Sequence, residues 1–522
     1  VFQSVDERLR AFSNEADRDL FRDSLKGIER EGLRVSPDGG IAHTDHPRCL
    51  GSALTHPYIT TDYSEALLEL ITPPFANLED TLDFLTALHA WVAQCLNNEL
   101  IWATSMPCKL ESDDKIPIAR YGTSNVGTMK HVYRRGLAHR YGRAMQTIAG
   151  LHFNYSFPEG FWRCLRMLEG RSSTKLQDYT SAGYFALIRN FQRVSWLVPF
   201  LFGASPAVCK SFFQGRAHEL PDLDRYTQFG EYATSLRMSD IGYRNSNQAG
   251  LDISFNDLDS YVDSLARAIS TPFPDYVAMG VKVDGEYRQL NANILQIENE
   301  YYSFVRPKQT AWSGEKPTLA LKRRGVEYVE IRALDINIYN PLGATATELR
   351  FIEALLLLCA LAESPPISHT EQRVIDNNTL EIAVRGRDAN LYLQIGNEKS
   401  TPRQWAERVF DSMTGVCELL DRGEQDTPYR AALDAQRNAL ATPETLPSAR
   451  ILAELHDNNE SFFEFAMRFS QQHDDFFRNY ELDEHRKAQF ASVVADSLLR
   501  QQDIESSDDI SFDEYLERYF SQ

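Results

Sequence analysis

The run Gly27-Ile28-Glu29-Arg30-Glu31-Gly32-Leu33-Arg34-Val35 constrains the fold more than any other stretch of the chain. It alternates as a β-strand does, so every second side chain shares a face. Glu29 and Glu31 then lie with Leu33 and Val35, on the face that should be buried. Two buried carboxylates repel each other and are costly to desolvate unless cations neutralise them. Either a divalent ion sits against this strand, or the strand is an edge at which Arg30 and Arg34 screen the acids. The spacing alone leaves both readings open.

Three further segments put charge where a core is expected. In Thr60–Leu70, Asp62 and Glu69 are seven apart, two turns of a helix at ~3.6 residues per turn. Apolar periodicity predicts a helix over Ser64–Ile71, and Asp62-x-x-Glu65 also fits a capping box in which Asp62 serves only as the cap. Glu69, inside the apolar run Ala66–Ile71, is harder to place on a surface. Leu151–Phe157 predicts a strand with His152, Asn154 and Ser156 on one face and Leu151, Phe153, Tyr155 and Phe157 on the other. Its polar face calls for a metal, a ligand or water, although a single histidine is usually a structural residue. Glu327–Leu334 predicts another strand, with Glu330 and Arg332 on one face. These two are either a surface ion pair or a metal ligand beside a cation that steadies developing negative charge.

Together these segments predict a β-rich body whose strands display Glu, Asp, His and Arg inward. Oxygen-rich ligands suit Mg²⁺ or Mn²⁺ rather than a structural zinc site. Several such ions beside an arginine suit phosphoryl transfer from a nucleotide. Gly-x4-Gly-Lys-[Ser/Thr], strand-linked Gly-x-Gly-x-x-Gly, His-Glu-x-x-His and Gly-x-Ser-x-Gly are all absent, so use of ATP would not go through a P-loop.

The 522 residues allow roughly three domains' worth of chain or one large enzyme unit. The pattern divides into an α+β body over residues 1–370 and a mainly helical C-terminal region, 371–522, packed on it. Helices are predicted over Asn77–Asn98, Met129–Arg140, Ser181–Phe202 and Ala346–Leu361, strands around a turn at Asp284-Gly285, and a loop over Arg306–Pro317. A helix over 450–469 carries Phe462, Phe463, Ala466 and Phe469 on one face, which needs something to pack on. Acids exceed bases by 20, which argues against a general nucleic-acid binder. Much of that excess falls in residues 451–522 and reads as a solvated helical face. Seven dispersed cysteines without Cys-x-x-Cys fit free thiols in a reducing compartment. The most apolar runs, Trp196–Val208 and Phe351–Ala362, fall short of the ~20 residues a membrane helix needs. Val1–Arg10 is polar, so the expectation is a cytoplasmic protein with no membrane or obligate protein partner.

Beyond these readings, the segments Gly27–Val35, Gly51–His56, Thr60–Pro73, Tyr121–Asn125, Arg140–Phe157, Leu201–Pro206, Tyr232–Tyr243, Leu295–Lys308 and Glu327–Asn337 resemble bacterial glutamate–cysteine ligases of the single-function type. The resemblance spans most of the first ~370 residues and weakens after about Glu371. It implies a glutamine-synthetase-like antiparallel sheet that forms a funnel or barrel wrapped by helices. It implies ATP and several Mg²⁺ ions, with Mn²⁺ as an alternative, held by Glu29, Glu31, Asp62, Glu69, His152 and Glu330. Arg332 matches the arginine near the transferred phosphoryl group. Tyr133, Tyr243 and Tyr302 match aromatic residues around the cysteine substrate. Arg134, Gln146 and Arg237 are assigned to amino-acid carboxylates, and Asn154 and Ser156 to the nucleotide. The implied reaction joins the γ-carboxylate of L-glutamate to L-cysteine through a γ-glutamyl phosphate, the first step of glutathione biosynthesis. Rival readings are a γ-glutamyl ligase for another amine, a metal-dependent phosphohydrolase and a non-catalytic metabolite-binding protein.

Overall fold

The structure, a computed structural model, describes residues 5–12, 19–242, 251–312 and 314–522. Strands are numbered in chain order. β1 (Leu25–Val35), β2 (Ile59–Thr61), β3 (Leu67–Ile71), β4 (Leu100–Ile101), β5 (Leu151–Ser156), β10 (Val305–Lys308) and β11 (Tyr328–Leu334) form one antiparallel sheet. Its order is β10-β11-β5-β1-β3-β2, with β4 paired to the end of β1. Three small ribbons pair β6 (Ala207–Cys209) with β7 (Thr227–Phe229), β8 (Lys282–Val283) with β9 (Glu286–Tyr287), and β12 (Leu393–Ile395) with β13 (Glu398–Ser400). The β8–β9 turn has Asp284 and Gly285 at φ of 52° and 84°, the left-handed pair that a tight two-residue hairpin requires.

The large sheet is open, with β10 and β2 at its edges, so the expected barrel does not close among the described residues. β1 is central, between β5 and β3, which overturns the edge-strand reading. Nor do Arg30 and Arg34 act as a surface screen: they are 3% and 0% exposed, and Arg34 pairs with Glu99 at 2.7 Å.

Ile28, Leu68, Leu70, Phe153, Tyr155, Val329 and Ile331 fill one face of the sheet. Helices Leu78–Cys95, Leu176–Val194 and Ala346–Leu361 belong to the core built on it. The last is buried nearly all round, because helices Leu176–Val194, Pro402–Leu420 and Pro428–Ala441 pack against it. The opposite face is polar at Glu29 and Glu31 and becomes apolar at Leu33, Val35 and Leu67, which join a second core.

The helix expected over Ser64–Ile71 is instead a turn followed by β3. Both faces of β3 are largely buried, so its near-continuous apolar run carries no clean period. Asp62 caps no helix. Its N–H bonds to the Leu67 carbonyl at 3.0 Å to close the turn, and Glu65 accepts the His46 and Arg120 amides at 2.9 and 2.7 Å. The loop expected over Arg306–Pro317 contributes its first residues to β10. The helix expected over 450–469 breaks at Asn459, φ 51°, and restarts behind a Ser461/Glu464 capping box as Phe462–Arg478. Phe462, Phe465 and Ala466 join the second core, and the helix lies on Leu78–Cys95. The final helix, Phe512–Phe520, sets Leu516 against Met129 and Val132 of helix Asn125–Tyr141.

Candidate active site

Strand register gathers the polar residues. Glu31 faces Glu69 across β1 and β3, Glu29 faces His152 across β1 and β5, and Glu330 lies between Asn154 of β5 and Arg306 of β10. His152 is the hub. Its Nδ1 lies 3.1 Å from Glu29 and 3.6 Å from Glu330, and its Nε2 lies 3.5 Å from Glu31. Two triads result, Glu29/His152/Glu330 and Glu31/Glu69/His152, each with ligand atoms within 4.8 Å of one another.

Acids outnumber the cations that touch them. Burial and the charges of Glu29, Asp62 and Glu31 hold the Glu69 carboxyl well above the usual range. Burial also raises Glu31, with His152 opposing and Asp62 adding to the shift. Glu330 goes the other way: burial would raise it, but Lys308, Arg332, His152 and Arg306 pull it well down. Glu29 is lowered too, because the His152 contact and nearby positive charge outweigh burial and the repulsion of Glu330. Among the described residues, Glu330 Oε2 accepts no hydrogen bond, and the Lys308 ammonium lies 3.4 Å from it. The residues therefore fit divalent cations: two oxygen-rich sets, an unsatisfied buried carboxylate oxygen, and one imidazole shared between them.

Arg332 shares its strand face with Glu330. It donates from Nη1 to Glu330 Oε1 at 2.9 Å, and its guanidinium lies 6.0 Å from the centre of the Tyr302 ring. Glu330 raises the Arg332 pKa against the effect of burial, so the cation is permanent. Arg237, fully buried, donates to the Arg332 carbonyl at 2.9 Å. A Cβ at position 150 would meet its guanidinium at 2.1 Å, so only glycine lets Arg237 approach here. The Gly150 N–H donates to Glu31 Oε2 at 2.6 Å.

The structure thus brings together Glu29, Glu31, Glu69, His152, Asn154, Glu330, Arg332, Arg237 and Tyr302. Asp62 stands at the rim, in the turn after β2, where its charge acts on Glu31 and Glu69. Asn154 Nδ2 donates to Glu29 Oε1 at 2.8 Å. Ser156 lies farther along the same face of β5. Gln146 sits in the short helical turn Met145–Thr147 that leads into β5. Tyr133 and Arg134 lie on helix Asn125–Tyr141, and Tyr243 falls outside the described residues. Sequence reasoning missed Arg306 and Lys308, because their segment reads as a loop. Their signal is the alternation Val305-Arg-Pro-Lys308, which places both cations on the Glu330 side. It also missed Lys130, four residues before Arg134 on the same helix.

A sheet face that holds this surplus of buried carboxylate beside fixed arginines suits the class of enzymes that handle phosphorylated substrates. A family model described as "Glutamate-cysteine ligase" matches residues 9–382. The chain belongs to the glutamate–cysteine ligase family. It is 47% identical over 521 residues to the glutamate–cysteine ligase of Alcanivorax borkumensis, covering 99% of both chains. It is 48% identical over 515 residues to that of Pseudomonas aeruginosa, covering 99% of this chain and 97% of the relative. The match therefore extends through the tail, where the sequence resemblance weakens. The crystal structure of the Francisella tularensis glutamate–cysteine ligase in complex with AMP aligns with a TM-score of 0.90 and 35% identity, over 96% of this chain and 98% of that one. A bifunctional glutathione synthetase from Pasteurella multocida shares the fold, with a TM-score of 0.72 and 23% identity over 95% of this chain but 58% of its own. The match is to the single-function type. The activity is ATP-dependent glutamate–cysteine ligation, the first step of glutathione synthesis. Among the described residues, no helix is long and apolar enough to cross a membrane.

Proposed function

We propose that the two triads bind divalent ions, Mg²⁺ or in its place Mn²⁺, and that the enzyme ligates glutamate to cysteine through a γ-glutamyl phosphate. The observation that carries this reading is the pair of carboxylate-rich triads sharing His152, with Glu330 Oε2 left without a hydrogen bond. Glu29, His152 and Glu330 would hold one ion, and Glu31, Glu69 and His152 another, with Asp62 beside them. Bound metal would supply charge neutralisation between a polyphosphate and an incoming carboxylate.

The residues of this chain do the rest. Arg306 and Lys308 line a cavity of about 320 Å³ together with Tyr328 and Thr310, and Lys308 ties this cavity to the site through its 3.4 Å contact with Glu330. It suits the nucleotide, in keeping with the AMP in the Francisella relative. Asn154 and Ser156 face that side. In this reading the sheet is one wall of a glutamine-synthetase-type funnel, with nucleotide entering past β10 and amino acids past the turn at Asp62. Arg332 faces the transferred phosphoryl group, where its fork can donate to oxygens whose charge shifts as the bond to ADP breaks. Arg237 and Gln146 orient glutamate, while Tyr133 and Tyr302 shape the cysteine pocket, to which the family resemblance alone adds Tyr243. The cysteine amine attacks the acyl carbon, and phosphate leaves.

The test measures phosphate and peptide formation from Mg-ATP with glutamate, cysteine, both or neither. Peptide is expected only with both amino acids and a divalent ion. Equal phosphate release from ATP alone would return the site to a phosphohydrolase. Preference for another amine in competition would reassign the acceptor.

A further inference from the structure

Helix Asn125–Tyr141 carries two cations four residues apart, Lys130 and Arg134, over one aromatic ring. The Lys130 ammonium lies 5.1 Å and the Arg134 guanidinium 4.7 Å from the centre of the Tyr121 ring. Like charges at this spacing repel on a helix. Their surroundings differ. Arg134 spends its nitrogens on main-chain carbonyls: Nε on Asp62, Nη1 on Lys130 at 3.0 Å and Nη2 on Thr61 at 3.5 Å. It braces the turn that carries Asp62 and has little left to offer a substrate. Lys130 is half-buried, yet its ammonium makes no hydrogen bond or ion pair among the described residues.

The charges around Lys130 are arranged for a zwitterion. The Glu69 charge acts on Lys130 and the Asp62 charge on Glu69, whereas Arg306 and Lys308 act on Glu330 and Arg332 acts on both Glu330 and Glu69. An amino acid entering there meets a cation for its carboxylate and acids that attract its ammonium. Tyr133, proposed for the cysteine pocket, is one turn along from Lys130. Burial and the Arg134 charge lower the Lys130 pKa to about 8, with Glu69 opposing, so the side chain still carries its charge at pH 7.

We infer that Lys130, rather than Arg134, binds the α-carboxylate of the amine substrate and so selects amino acids over simple amines. This rests on the ligase reading above and assigns a residue within it. A buried hydrogen bond to a charged group is worth roughly 10–100-fold in affinity.

The test compares cysteine with cysteamine, which lacks the carboxylate, in the wild type, Lys130→Met and Lys130→Arg. Lys130→Met should raise the KM for cysteine about 10–100-fold. The KM values for glutamate and ATP should stay within about twofold, and kcat/KM for cysteamine should match the wild type. Lys130→Arg should recover most of the cysteine affinity. An equal penalty on cysteine and cysteamine, a rise in the glutamate KM instead, or a lowered melting temperature with unchanged cysteine KM would each overturn the assignment. Lys130→Gln serves as the second variant if Lys130→Met does not fold. If the wild type itself made no peptide from glutamate and cysteine, the ligase reading would fail instead.

Discussion

The sheet buries charge on both faces and resolves it in opposite ways. β1 sends Lys26 to the helix-packed face, where its ammonium lies 3.1 Å from Glu353, a residue 1% exposed on helix Ala346–Leu361. Tyr155 and Tyr429 donate their hydroxyls to the two Glu353 oxygens at 3.0 and 2.9 Å, and Lys26 also donates to the Ala76 carbonyl at 2.9 Å. Burial and the Glu353 charge push both hydroxyls well above the usual tyrosine range, so they remain donors. That cluster is closed: one acid, one base and matched hydrogen bonds. On the other face, Glu29, Glu31, Glu69 and Glu330 surround His152 with an oxygen left over. A balanced buried cluster is costly to break, whereas an unbalanced one has room for the missing charge.

The comparison breaks first at Glu353. Glu353→Ala leaves Lys26 without a counter-ion and two hydroxyls without an acceptor, a loss of ~3–5 kcal/mol for a broken buried pair. Urea unfolding should show it, with kcat per folded molecule little changed. A loss under ~1 kcal/mol would mean the closed cluster is not holding the two layers together.

On the open face the next largest effect falls on turnover rather than stability. Arg332→Lys keeps the charge and loses the fork, so kcat should fall by ~10²–10³, the scale of one transition-state donor. The melting temperature should barely move. Near-normal turnover in a folded variant would reduce Arg332 to a partner of Glu330.

Adding the missing charge is the third test. Mg²⁺ at 100 times its Kd should stabilise the protein by ~2.7 kcal/mol in a thermal shift. Glu353→Gln should not diminish that gain, while Glu29→Gln combined with Glu330→Gln should. Glu69→Gln should raise metal-free stability by on the order of 1 kcal/mol, because it removes an acid that its neighbours repel. Falling metal-free stability in that variant would show that the acids are already compensated.

How much of this was open to sequence reasoning follows the same division. Alternation exposed Glu29 and Glu31 on a face expected to be buried, placed His152 on the regular polar face of its strand, and set Glu330 beside Arg332. It gave a helix instead of a strand around Glu69, because β3 is buried on both faces and has no period, and it gave a helix cap for Asp62, which stands in the turn before that strand. Arg306 and Lys308 stand on an edge strand four residues long, too short to announce itself. Lys130 has no sequence signal that separates it from Arg134. Only the carbonyls of Thr61, Asp62 and Lys130 show which cation is already engaged.

Burial has one more solution besides pairing and metal, which is to stay neutral, and His56 uses it on the loop before β2. Its Nδ1 accepts the Tyr58 and Ile59 amides at 3.1 and 2.9 Å, and the side chain is 6% exposed. A proton on Nδ1 would displace both amides, and burial lowers its pKa from 6.5 to about 4. Below 6.5 the unfolded chain takes up the proton while the folded chain does not. The His56 contribution is therefore complete above pH 6.5 and is lost as pH falls toward 4, with a limiting slope of about 1.4 kcal/mol per unit. An asparagine side chain can accept the same amides as an Asx turn without titrating. Between pH 7 and 5 the wild type should lose more stability than His56→Asn, by on the order of 1 kcal/mol, read as the difference between two urea titrations. Because both proteins share the same carboxylates, their titration cancels in that difference. Parallel losses would mean that His56 titrates as it does in the unfolded chain, and that the loop into β2 is not held by a neutral imidazole.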